Sequence, residues 1–109
     1  MNKDRRVVVT GMGVISPIGN NIEDFKAALF AGKCGISPLD FGDERDADGI
    51  NVKVAGQVRD FNPADYGLTP QEIRKTDKFS QFALAAALQA LKDSGLVPGE
   101  NVSEDMLGV

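Results

Sequence analysis

Three observations predict an α/β fold for this chain. A continuous β-branched run stands near the N-terminus, helical apolar spacing governs two later segments, and the elements follow the order strand, helix, strand, helices, strand. With 109 residues there is room for one domain, and no linker or internal repeat divides it.

The first strand is read over residues 5–10, RRVVVT. A β-branched run without polar alternation suits a strand covered on both faces. The next stretch, GMGVISPIGNN, holds three glycines and a proline and is a loop. A helix is expected over about 21–31. Asn20 with Glu23 three residues on fits a capping box, Ile22, Phe25 and Leu29 mark one face, and Gly32 is a C-terminal stop.

Residues 40–50, DFGDERDADGI, read as a solvated acidic loop. In 52–58, VKVAGQV, alternation places Val52, Val54, Gly56 and Val58 on one face of a half-buried strand that Gly56 weakens. Thr69, Pro70 and Glu72 form the strongest local signal: a capping threonine, a proline at the first helical position and the glutamate that completes the box. They open a short helix from 70 to about 75. A longer one follows over about 77–93 and stops at Gly95. Apolar residues such as Phe79, Phe82, Leu84, Leu88 and Leu91 spread over most of its circumference, so it expects cover on more than one side. Val97, Pro98 and Gly99 make a turn, and residues 106–109 read as a strand just begun.

Composition excludes several functions. The formal net charge of −4 argues against general nucleic-acid binding. No apolar run reaches the ~20 residues needed to span a bilayer. The three valines after the basic N-terminus are too few for a signal-peptide core, and the chain reads as cytoplasmic. With no histidine, Ser-His-Asp and Cys-His catalysis within this chain are excluded, as are His-bearing zinc sites. With one cysteine there is neither an internal disulfide nor a CxxC pair.

Four signals remain. Gly11, Gly13 and Ser16 after the first strand approximate a dinucleotide fingerprint. Ser16 stands where Gly or Ala belongs, and the helix cap comes too late to receive a phosphate, so a structural turn is the stronger reading. Residues 44–49 resemble half an EF-hand loop, but Ala55 occupies the twelfth position, where a bidentate glutamate is required. Cys34 beside Lys33 is a possible nucleophile without a base. Arg74 and Lys75, with Lys78, form a basic cluster in an acidic chain. It is either helix-end chemistry or a docking patch for an acidic partner.

The ordered motifs carry a resemblance. VVVTGMGVISPIGN is similar to the opening strand and loop of the type II β-ketoacyl-acyl-carrier-protein synthases. Residues 30–36, FAGKCGI, resemble that family's loop after the first helix, with Cys34 where serine is usual. Residues 54–61, VAGQVRDF, resemble its next strand, and RKTDKF with the alanine-rich helix resembles the segment that follows. The acidic loop at 42–51 is longer than the family usually has.

The resemblance implies the N-terminal portion of a five-layered, thiolase-like αβαβα fold. Family members are several times longer, so the chain is expected to be a fragment of a condensing enzyme, an acyltransferase of fatty-acid elongation that works as a homodimer. The catalytic cysteine and two histidines of the family fall downstream, so none is expected here, and Cys34 does not align with that cysteine. No metal or redox cofactor is implied. The partner implied is acyl carrier protein, whose phosphopantetheine arm bears the acyl and malonyl groups. Basic residues at Arg74 and Lys75 would face it, while Gln71 stands where some members carry a third cation. Two other readings stay open: a non-catalytic module that holds an acidic partner through Arg74 and Lys75, and a small nucleotide-binding domain on Gly11 and Gly13.

Overall fold

The computed structural model describes residues 4–41 and 49–109. Chain order is helix α1 (Ile22–Phe30), strand β1 (Ile36–Pro38), strand β2 (Val54–Gly56), a 3-10 turn (Pro63–Tyr66), helix α2 (Pro70–Lys75), helix α3 (Lys78–Ser94) and a second 3-10 turn (Glu104–Met106). The helices obey the local signals. Thr69 accepts from the Glu72 N–H while Glu72 reaches back to the Thr69 N–H, and Pro70 takes the first helical position. Gly95 ends α3 in the left-handed conformation at φ 68°. Gly32, at φ 67°, follows the end of α1.

The start of α1 is shifted by one residue from expectation. Asn21, not Asn20, is the cap, and its side chain accepts from the Asp24 N–H. Asn20 is drawn away because its amide donates to the Arg59 carbonyl at 2.8 Å. The covered side of α1 is Ile22, Phe25 and Ala28, while Leu29 is exposed.

The strands depart further. Residues 5–10 pair with no described backbone, and Val7, Val8 and Val9 are 89%, 66% and 78% exposed. The residues suit a strand, but the described residues bring no neighbouring strand to them, and the expected burial is absent. Residues 106–109 likewise form no strand; the second 3-10 turn ends at Met106 and Leu107 continues extended. The described residues therefore place neither of these segments in a sheet. Their one sheet is antiparallel and two-stranded, with Ile36 opposite Gly56, Ser37 opposite Ala55 and Pro38 opposite Val54. The alternation in 52–58 departs from expectation: Val52, Val54 and Gly56 are exposed, Ala55 and Gln57 are partly covered, and of the expected inward face only Val58 is partly covered.

The best-packed region surrounds α3. Among the described residues only Leu68, Ala85 and Gln81 are buried. Phe61 is stacked on Tyr66 with centroids 5.3 Å apart and edge-on to Phe82 at 4.8 Å. The first 3-10 turn packs on both α2 and α3. Elsewhere on α3 Phe79, Leu84 and Leu88 stay exposed, so the described residues supply only part of the cover the helix expects. No described helix is long and apolar enough to cross a membrane.

Candidate functional site

Residues 11–14 lie along α3, against the main chain at Ala86, Ala90 and Ser94, spaced by four. A Cβ on Gly11 would sit 2.3 Å from the Ala90 carbonyl oxygen, and one on Gly13 would sit 2.0 Å from that of Ala86. Polar bonds fix the register: Met12 N–H to Asp93 at 2.9 Å, and Gln89 both accepting from the Val14 N–H at 3.4 Å and donating to its carbonyl at 3.2 Å. The same Gln89 amide donates to the Asn20 carbonyl at 2.9 Å. Neither glycine has positive φ. What they supply is room for backbone against helix. Space that a pyrophosphate would need is filled by α3, and the phosphate-loop reading of Gly11 and Gly13 fails on that contact. Ser16 closes a tight turn with Gly19 through paired backbone bonds of 3.0 and 3.3 Å.

An open cleft of about 800 Å3 lies between this turn, α1, residues 33–37 and residues 59–66. Cys34 lines it, exposed, with its thiol donating weakly to the Ile36 carbonyl at 3.8 Å. Among the described residues no base touches the thiol. Tyr66 also lines the cleft and donates to the Asn20 carbonyl at 3.4 Å; desolvation, then Asp65 and Asp24, push its hydroxyl above the ordinary value. Most of the EF-hand-like segment lies outside the described residues. Among the described residues no three potential metal ligands cluster.

The basic cluster forms one continuous feature. Arg74 and Lys75 occupy the last turn of α2, both exposed and without a hydrogen-bond or ion-pair partner among the described residues. Thr76 and Asp77 turn the chain in extended conformation, and Lys78 opens α3. Cations at the end of α2 complement its dipole, but Lys78 sits at the positive end of the next helix, where the dipole opposes it. Helix-end chemistry therefore explains two of the three cations and not the third.

The short helix that carries them is pinned at its start. Glu72 accepts from the Thr69 N–H at 2.7 Å and from the Thr69 hydroxyl at 2.8 Å. These bonds, the backbone one foremost, hold its carboxyl below the ordinary 4.5. A carboxyl depressed in the folded state stabilises above its unfolded pKa and loses that contribution as pH falls through the lower, folded value. The box should thus be intact at neutral pH and open in acid below 4.5. The Thr69 amide shift followed by NMR should titrate with a midpoint below that value; a midpoint at or above it would contradict the bond.

Residues 4–109 match the family model described as "Beta-ketoacyl synthase, N-terminal domain". The chain belongs to the β-ketoacyl synthase family. It is 50% identical to 3-oxoacyl-[acyl-carrier-protein] synthase 2 of Coxiella burnetii over 84% of its own length and 21% of the relative's. It is 38% identical to the protein of that name from Staphylococcus aureus strain COL over its whole length, which is 25% of that relative. Among solved structures, a chain of the ishigamide ketosynthase/chain length factor superposes with a TM-score of 0.72 at 38% identity, covering 95% of this chain and 23% of the other. The chain thus spans about a quarter of the length of the β-ketoacyl synthases it matches. Gln81 and Gln89, which tie α3 to α2 and to the glycine segment, were not singled out from the sequence. Polar residues in an apolar helical pattern were the available signal.

Proposed function

We propose that this chain is the N-terminal part of a 3-oxoacyl-[acyl-carrier-protein] synthase that elongates fatty acyl chains. In that reading an acyl group passes from carrier protein to a cysteine of the enzyme. Malonyl-carrier protein then loses CO2 and condenses with it, lengthening the chain by two carbons. The observation that carries the reading is the match of residues 4–109 to the synthase N-terminal domain, backed by relatives of that activity at 38–50% identity. The nucleophile and base come from outside these residues. This chain contributes part of the five-layered fold and, through Arg74 and Lys75, part of the face that receives the acidic carrier protein. A cytoplasmic homodimer belongs to the same reading.

Exposure and freedom from ion pairs among the described residues leave both cations available to a partner. In the complete enzyme, Arg74→Glu or Lys75→Glu should slow association with carrier protein, more so at low salt. Each exposed contact is worth about 1 kcal/mol or less. Activity on a carrier-free thioester should be nearly unchanged. Equal loss on both substrates would assign the residues to helix stability instead. The same exposed cations also suit a second reading, a non-catalytic module that binds an acidic partner through them. It predicts binding without condensation, so turnover by the complete protein decides against it.

A further inference from the structure

We propose that Gln81 is the positioning residue for this docking face: from within α3 it locks the C-terminal end of α2 and so fixes how Arg74 and Lys75 are presented. The inference rests on the docking reading above.

Helix α2 has six residues, Pro70–Lys75. A helix far shorter than about 12 residues does not persist by its own hydrogen bonds. Its order depends on what holds its ends. The N-terminal end is held by the Thr69 and Glu72 box. At the other end the Thr76 hydroxyl donates to the Glu72 carbonyl at 2.6 Å. Gln81 then donates from its amide nitrogen to the Ile73 carbonyl at 3.1 Å and to the Thr76 carbonyl at 2.9 Å. Those two carbonyls bracket Arg74 and Lys75 in the chain.

Gln81 is the one buried polar residue among those described, 8% exposed. A primary amide nitrogen carries two N–H groups, and each has an acceptor at the end of α2. Burying an amide without partners is unfavourable, so the side chain is committed to these bonds. Its own backbone is anchored in the first turn of α3, where its N–H donates to the Asp77 carbonyl at 3.0 Å. One side chain therefore couples a 17-residue helix to a six-residue one across a two-residue bend. Without it the last turn of α2 frays, and the two cations must be ordered anew at each encounter, which weakens docking.

The test compares carrier-linked and carrier-free substrates in the complete enzyme. Gln81→Met keeps the length and bulk of the side chain and removes both donors. Thr69→Val loosens α2 from its opposite, exposed end without touching the packing around Gln81. Each should raise KM for acyl-carrier protein about three- to tenfold, with kcat/KM on a carrier-free thioester within about twofold of the unaltered enzyme. If Gln81→Met lowers activity on both substrates in parallel, Gln81 only supports the fold and the proposal is overturned. It is overturned as well if Arg74→Glu impairs carrier use while Gln81→Met and Thr69→Val do not; docking then stands without the lock. If Arg74→Glu itself leaves carrier use intact, the docking reading fails and this proposal with it.

Discussion

Purified by itself, the 109-residue chain should melt without a cooperative transition, bind a hydrophobic dye and leave acyl- and malonyl-carrier protein unreacted. Its accessible surface is 9047 Å2, against about 5,800 Å2 for a compact monomer of this mass. Its radius of gyration is 18.0 Å, against about 13 Å. Much of the excess is apolar: Val7, Val9, Phe30, Phe79 and Met106 are each more than two-thirds exposed. Patches beyond a few hundred Å2 lead to association or loose packing in an isolated monomer. The chemical half of the expectation follows from the absence of histidine and from a Cys34 thiol with no base beside it among the described residues. Thermal and urea melts of the mass-verified chain check the first half. A single sharp transition from a monodisperse monomer would overturn it, and condensation lost in Cys34→Ser would overturn the second.

Gly13→Ala should be among the most damaging single substitutions in the complete protein, costing about 2–5 kcal/mol. The added Cβ would meet the Ala86 carbonyl oxygen at 2.0 Å and the Gln89 Cβ at 2.7 Å. The first is helix backbone, which cannot rotate away, so residues 11–14 must lift off α3. That movement also stretches the Gln89 bonds to Val14 and the Asp93 bond to Met12. Trimming α3 by Ala86→Gly should not rescue it, because the obstructing atom is main chain. Gly56→Ala provides the contrast. Its Cβ would press on the Pro17 ring at 3.1 Å, with the Gly35 carbonyl oxygen in ordinary contact at 3.9 Å, and should cost under about 1 kcal/mol. Melting temperatures of the two variants measure the difference, and a neutral Gly13→Ala would show that the segment is not held against α3.

Helix ends were the most legible part of the sequence, because a cap is a contact between residues three or four apart. The Thr69 box and the stops at Gly32 and Gly95 needed no knowledge of the fold. The cap at Asn21 was misplaced by one because Asn20 is claimed by Arg59, 39 positions away. Strands were the least legible. Strand β1 is three residues, Ile36–Pro38, too short for a pattern. In 52–58 the alternation is legible but the face that turns inward is not: Val52 and Val54 have no described neighbour to cover them, and only Val58 of that face is partly covered.

The sequence by itself determined where α2 and α3 begin and end, the cationic pair on α2, the exclusion of histidine chemistry and the family to which the chain belongs. These are properties of composition, of spacing within one helical turn or of motif order. Only the tertiary structure decided what the glycines and glutamines do. Gly11 and Gly13 fit equally well a turn around a phosphate and a backbone laid against a helix. The Ala86 and Ala90 carbonyls, more than 70 positions along the chain, select the second by standing where any Cβ would be. Gln81 and Gln89 were polar interruptions of an apolar pattern until their amides met carbonyls of other segments. A buried amide takes its role from the partners that satisfy it, and the fold supplies those partners.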